Sequence, residues 1–342
     1  MRHRFFASFA SMGALAVAIA VVSLAPFPVA GQAPTAAAKA SLAPRTPWGQ
    51  PDLQGTWENK TITPLERPGE LAGKEFLTEQ EAAELEKQAA ERSQDRRDGA
   101  GTDADVGRAY NDFWWDRSTR IIKTRRTSLI VDPPDGRIPP LTPEAQKRAA
   151  SRPGGGFAGG LRNALPAGPE DRGLWERCIT LGVPRITGGY NSNYQIFQTR
   201  DYVVILHEMV HELRIIPLDG RPHLGQNVRQ WLGDARGHWE GDTLVVDTTN
   251  FTDKTNFRGS TETLHIVERF TRVDADTLLY QLTVDDPATW TKPWTVAVPT
   301  PMSRGQIYEY ACHEGNYGML GILSGARAIE KAAEEAAKKG SK

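Results

Sequence analysis

YVVILHEMVHELRII, residues 202–216, is the stretch on which the reading of this chain turns. Inside it HEMVHE, 207–212, has the form H-E-x-x-H, in which two histidines one helical turn apart hold zinc and the glutamate between them activates water. That chemistry needs a helix. Val203, Val204, Ile205, Val210, Ile215 and Ile216 are β-branched, and Pro217 with Asp219-Gly220 ends the run. A helix here would be apolar nearly all round and crowded at χ1, whereas the break at Arg200-Asp201 after YQIFQT suits a hairpin. The stretch is therefore expected to be a strand. Period-two alternation then puts Ile205, His207, Met209, His211, Leu213 and Ile215 on one face and sends Glu208, Glu212 and Arg214 to the other. The glutamate leaves its histidines, and the metallopeptidase reading falls with it.

Working outward, further strand candidates follow: VRQWL continuing through GHWEG, then TLVVDTTNF, TLHIVERFTRV, TLLYQLTV, WTVAV and QIYEYACH, with GD, DAD and DDP as turns between them. The pattern predicts a mainly β fold, an antiparallel meander barrel or sandwich of about eight strands over residues 185–320. An Ala/Glu/Lys-rich helix or tail is expected over 321–342. Upstream, 34–184 reads as an irregular region packed on the β domain, with short helices over 76–95 and 143–150. Thr78 and Glu81 form a capping box for the first helix, and Thr142 with Pro143 starts the second. TSLIVD is strand-like and PPDG is a turn. The Gly- and Pro-rich 151–173 loop reads equally as a lid or a linker.

The first residues, MRHRFFASFASMGALAVAIAVVSLAPFPVAGQA, have a basic start, a short apolar middle and a small-residue exit. Residues 1–33 are therefore expected to be a cleavable signal peptide, placing the chain in the periplasm or outside the cell, with no membrane span predicted elsewhere. Of 342 residues, 41 are Lys or Arg and 42 Asp or Glu, a net charge of -1 with no basic cluster, which excludes a nucleic-acid footprint. The cysteines, Cys178 and Cys312, lack C-x-x-C spacing and are expected to pair as a disulfide in an oxidising compartment, two buried thiols being the alternative. No nucleophile elbow, phosphate loop or dinucleotide fingerprint is present.

Apart from His3, all the histidines lie between 207 and 313. Three constellations emerge from that half. His207, His211 and His223 would line a cavity; as three neutral imidazoles they leave a divalent metal open, although no cofactor is predicted. Glu208, His211 and Arg214, with Asp234, Arg236, Glu240 and Asp242, supply the carboxylate, imidazole and guanidinium that acid/base chemistry requires. Trp231, Trp239, Trp290, Trp294, Tyr308 and Tyr310 would offer flat apolar faces to a planar or sugar-like ligand, core packing being the plainer reading.

PDLQGTW, IPLDGRPH, GDTLVVDTTNF and DDPATWTKPW together resemble an uncharacterised family of exported bacterial proteins, a resemblance that implies export and no catalytic roles. More loosely, Gly55-Thr56-Trp57 is similar to the G-x-W that opens lipocalin-like barrels, although a long stretch separates it here from the strand-rich region. The leading expectation is an exported enzyme (lyase, isomerase or hydrolase) using acid/base chemistry on a small molecule. Its site residues would be His207, His211, Glu208, Arg214 and Asp234, with His207 or His211 as proton acceptor and Arg214 or Arg221 as anion stabiliser. His223, Arg221, Trp231, Trp239 and Tyr308 would bind the ligand. A non-catalytic lipocalin-like binding protein, a metal-dependent hydrolase using His207, His211 and His223, and a structural role stay open.

Overall fold

A computed structural model describes residues 43–92, 118–151, 165–254 and 257–340. The predicted signal peptide, residues 152–164 of the Gly-rich loop, and residues 93–117, among them the polar stretch RRDGAGTDADVG and the pair Trp114-Trp115, lie outside the described residues. Ten strands are described: β1 Gly55–Trp57, β2 Ile130–Asp132, β3 Tyr194–Gln198, β4 Tyr202–His207, β5 Glu212–Pro217, β6 Asp234–Glu240, β7 Thr243–Thr249, β8 His265–Asp274, β9 Thr277–Asp285 and β10 Trp294–Pro301. Three α-helices accompany them: α1 Glu79–Arg92, α2 Pro143–Ser151 and α3 Tyr317–Gly340.

The turn residues that break the pattern join neighbours in space. One sheet has the order β1-β3-β4-β5 and the other β2-β10-β9-β8-β7-β6. Every pairing within them is antiparallel. The arrangement is sandwich-like and not a closed barrel, but the sheets meet at their edges. A bridge between Trp57 and Met302 joins β1 to the chain leaving β10. On the opposite side a Cβ on Gly237 of β6 would lie 2.9 Å from Ile216 Cγ2 and 2.7 Å from Leu218 Cδ2, so the absence of a side chain there lets the end of β5 settle against β6. All the described residues belong to one compact unit, Ser41–Lys342.

Alternation decides what fills the space between the sheets. Val203 and Ile205 of β4, Ile196 of β3, Ile266 of β8, Leu282 of β9 and Val296 of β10 are at most 1 % exposed. Each contributes about 1.5–3 kcal/mol by leaving water. Trp57 is fully buried, its Nε1 donating to Leu53 O at 3.0 Å and its ring lying under the Arg272 guanidinium. The G-x-W segment pairs directly with β3.

Two strand expectations need correction. The run 202–216 is not one strand but two, β4 and β5, separated by a tight corner over 208–211 that includes a 3-10 turn at Met209–His211. VRQWL and QIYEYACH form no named strand; β6 starts at Asp234, and the chain after Pro301 runs irregularly to α3. One predicted strand split and one vanished, so a count of eight between 185 and 320 survives for a reason other than the one supposed.

Local chemistry explains the helices. Glu81 N donates to Thr78 Oγ1 at 3.2 Å while Thr78 N donates to Glu81 Oε2 at 2.8 Å, the reciprocal pair of a capping box. Ala145 N donates to Thr142 Oγ1 at 3.1 Å at the head of α2. Cys178 and Cys312 form a disulfide across a sequence separation of 134 residues, tying the segment before β3 to the segment before α3. Closing a loop of that length contributes about 5 kcal/mol in the chain-entropy treatment. Among the described residues no helix is long and apolar enough to cross a membrane.

Candidate functional site

The corner at 208–211 determines what faces inward. Val210 and His211 have φ of 62° and 41°, the left-handed region that a β-branched residue rarely occupies. The corner resets the alternation. On β4 the odd positions Val203, Ile205 and His207 are buried; on β5 the even positions Glu212, Arg214 and Ile216 are, while Leu213 and Ile215 stand 49 % and 59 % exposed. The predicted parity therefore holds through His207 and is inverted after it. Glu212 and Arg214 join His207 inside, and His211 leaves it.

Cross-strand register assembles a polar layer. Tyr194, His207 and Glu212 lie opposite one another across β3, β4 and β5, and Ile205 pairs with Arg214. From the facing sheet come Glu268 and Phe270 of β8 and Tyr280 of β9, the last two stacked with centroids 4.9 Å apart. Arg214 and Glu268 form a two-pronged ion pair, Nη1 to Oε1 at 3.0 Å and Nη2 to Oε2 at 2.5 Å, with both side chains under 5 % exposed. Tyr280 donates its hydroxyl to Glu268 Oε1 at 2.9 Å. Arg185, from the segment preceding β3, pairs with Glu212, whose other bonds come from Thr180 Oγ1 at 2.8 Å and Leu181 N at 3.2 Å.

A small void of about 10 Å³ is lined by Arg185, Tyr194, Ile205, His207, Arg214, Glu268, Phe270 and Tyr280. That is room for about one water. Two of the residues that line it carry a buried nitrogen without a hydrogen-bond partner, His207 Nε2 and Arg185 Nε. Leaving each so costs about 1–3 kcal/mol.

Electrostatics fix the charge states. Burial, and then the positive Arg185 and Arg214, push the His207 pKa well below the ordinary imidazole value, so the ring is neutral. Burial raises both phenols, most strongly Tyr280, where the Glu268 carboxylate adds to it. Burial opposes the charge on Arg214, but Glu268 outweighs it and the pKa rises. For Arg185 burial prevails over Glu212, and the pKa falls.

The other predicted residues go elsewhere. Glu208 is buried at the corner, its carboxylate accepting from Asn191 Nδ2 at 3.3 Å and from Asn193 N and Nδ2 at 3.3 and 2.9 Å. His211 is exposed, with Nδ1 3.3 Å from Tyr310 O. Arg221 pairs with Asp219 on an exposed turn. Trp231 is 37 % and Tyr308 70 % exposed, and Trp239 packs on the edge of the core, so these three do not line the void; its aromatic walls are Tyr194, Phe270 and Tyr280.

His223 and Asp234 meet in a second cluster on the other sheet. His223 Nδ1 is 3.0 Å from Asp234 Oδ2 and Nε2 is 2.9 Å from Asp247 Oδ1; Asp247 Oδ2 in turn lies 2.7 Å from His265 Nε2. Arg236 Nη1 donates to Asp234 Oδ1 at 2.6 Å. The hydrogen bond with Asp247 raises the His265 pKa against partial burial. Burial works against the charge on Asp247, yet its bonds with His265 and His223 outweigh it and hold the carboxyl low. His207, His211 and His223 thus have three separate environments. Among the described residues no three His, Cys, Asp or Glu side chains are arranged to hold a metal ion.

Sequence reading missed Arg185, which sits in an irregular segment without pattern, and Glu212, Glu268, Tyr194 and Tyr280. A signal for Glu212 and Arg214 exists in ELRIIP, where charge alternates with aliphatic residues, but alternation alone assigns the charged face to solvent. Comparison with protein-family models, curated proteins and solved structures finds no match.

Proposed function

We propose that the chain is an exported enzyme performing acid/base chemistry on a small polar molecule inside its β domain. His207 is the proton acceptor and Arg185 the cation that steadies developing negative charge. The observation that carries this reading is the pair of unpartnered buried nitrogens, His207 Nε2 and Arg185 Nε, on two residues that line one void. A neutral imidazole beside a guanidinium is the pairing that proton abstraction requires. The leading sequence expectation named Arg214 or Arg221 as the anion stabiliser. Arg214 gives both terminal nitrogens to Glu268, and Arg221 pairs with Asp219 on an exposed turn; Arg185 is paired with Glu212 through Nη2 but keeps a buried Nε without a partner, which favours it for that role.

Polar groups in the depth of the void argue against a lipocalin-type apolar ligand, for which an apolar interior with a polar mouth is required. Separation of the three imidazoles argues against the metal-dependent hydrolase. The disulfide suits an oxidising compartment and so supports a periplasmic or secreted location. The likenesses to an exported bacterial family and to lipocalin-like barrels remain proposals about ancestry. Because the void holds about one water, substrate entry requires its walls to part.

The test is turnover by the oxidised full chain against lyase, isomerase and hydrolase substrates of small size. Turnover is expected to fall about 10²–10⁴-fold in His207→Gln, the usual contribution of a positioned base. Unchanged turnover in a folded His207→Gln protein, or none by the wild type in all three classes, overturns the proposal.

A further inference from the structure

We infer that the interior void is a binding site for a small carboxylate, which enters together with one proton taken up by His207. This rests on the acid/base reading for its location and adds the chemical class of the ligand and the proton balance.

The ligand must satisfy two nitrogens of different character. Arg185 Nε can only donate, so the group facing it is an acceptor. His207 Nε2 donates or accepts according to tautomer and charge. A carboxylate oxygen accepts from both once the imidazole is protonated, and the step balances: one carboxylate and one solvent proton enter, leaving an imidazolium beside a carboxylate, with no bond broken in the protein.

The charges around His207 are those of Arg185 from the segment before β3, Tyr194 of β3, Glu212 and Arg214 of β5, Glu268 of β8 and Tyr280 of β9. The two carboxylates are already committed, Glu212 to Arg185, Thr180 and Leu181, Glu268 to Arg214 and Tyr280. Both phenols are neutral, and the Tyr194 hydroxyl is engaged with Thr300 Oγ1 at 3.3 Å. What acts electrostatically on His207 is the pair of guanidiniums. Each guanidinium is matched by a glutamate, so these groups sum to no net charge; a carboxylate gains the unpartnered Arg185 Nε, and the proton that enters with it keeps that sum unchanged. The void holds about one water as it stands, so even formate or acetate enters only as its walls part; Ile205 and Phe270 then supply apolar wall for a hydrogen or methyl substituent. The same two committed glutamates disfavour a dianion such as phosphate.

Formate and acetate are the probes, titrated into the oxidised full chain by calorimetry at several pH values, with the His207 ring followed by ¹⁵N NMR. Saturable one-to-one binding is expected, strengthening about tenfold for each unit of pH lowered wherever His207 is neutral when free and protonated when occupied, as proton linkage requires. The His207 ring nitrogens should move to imidazolium shifts on saturation. His207→Gln, which keeps a polar side chain but takes no proton, should bind without that pH dependence, and Arg185→Gln should lose at least tenfold in affinity. Absence of saturable binding, binding indifferent to pH in the wild type, or a His207 ring that stays neutral at saturation overturns the inference. The NMR readout uses the unaltered chain, so misfolding of a variant does not remove the test. Carboxylate binding without turnover of any substrate leaves this inference standing and removes the catalytic proposal; turnover of neutral substrates with no carboxylate binding does the reverse.

Discussion

Replacing Glu268 by leucine should destabilise the protein far more than replacing Glu268, Arg214 and Tyr280 together. In the native structure Arg214 and Glu268 face each other through two bonds at 4 % and 3 % side-chain exposure, and Tyr280 closes the cluster at 2.9 Å. Glu268→Leu strands a guanidinium in the core, and Arg214→Met strands a carboxylate held by a single phenol. Each should cost about 3–5 kcal/mol. The double variant removes both charges and leaves only the Tyr280 hydroxyl orphaned, a residual of about 1–3 kcal/mol. Adding Tyr280→Phe removes that as well, and the triple variant should return to within about 1.5 kcal/mol of wild type, as similar-volume apolar replacements do. Urea unfolding of oxidised protein, followed by tryptophan fluorescence, supplies the four free energies. The two single costs sum to about 6–10 kcal/mol against about 1–3 for the double, a coupling too large to miss. Single variants that each lose under 1 kcal/mol, or a double that equals their sum, would show that the pair is not buried as described.

The remaining predictions concern pH, the staple and one glycine. His207 is held neutral in the fold and regains its proton on unfolding, so its contribution is present above the unfolded value near 6.5 and declines as pH falls below it, by up to about 1.4 kcal/mol per unit; His207→Gln should flatten that acid limb in a series of urea midpoints. His265 has the opposite sign: its folded pKa is raised by Asp247, so its stabilisation is complete below about 6.5 and is lost as pH rises through the folded value, and His265→Asn should remove that alkaline decline. Cys312→Ser should lower stability by about 2–5 kcal/mol in calorimetry, and an unchanged melting temperature would refute the constraint. Gly233→Ala would place a methyl 2.6 Å from Thr249 O at φ of +69°, and a loss of at least about 1 kcal/mol is expected; a neutral variant would show that the turn adapts freely.

Much of the fold was legible because alternation and turn chemistry act locally. TLLYQLTV alternates buried and less buried positions along β9, and the DAD turn hands β8 to it directly. Thr78 with Glu81, three residues apart, was readable for the same reason, whereas Cys178 with Cys312 was readable because a chain expected to be exported has two cysteines to pair. The interior chemistry was not legible. HEMVHE contains no Gly, Pro, Asn or Asp to announce a corner, and a valine in left-handed conformation is tolerated only because the surrounding packing holds it. Once that corner is missed, each later assignment on β5 is inverted. Arg185 was invisible for another reason: its place is set by tertiary contact with Glu212, and nothing in VPRIT carries a period.

The corner between β4 and β5 also makes chain length at one spot into a determinant of chemistry. A single residue added or lost there would rotate the following strand by half a period, carrying Leu213 and Ile215 inward and expelling Glu212 and Arg214. The product would be a greasier interior built from the same amino acids, with one carboxylate and one guanidinium cast onto the outside. A one-residue indel at this position is thus a short evolutionary route between a charged chamber and an oily one.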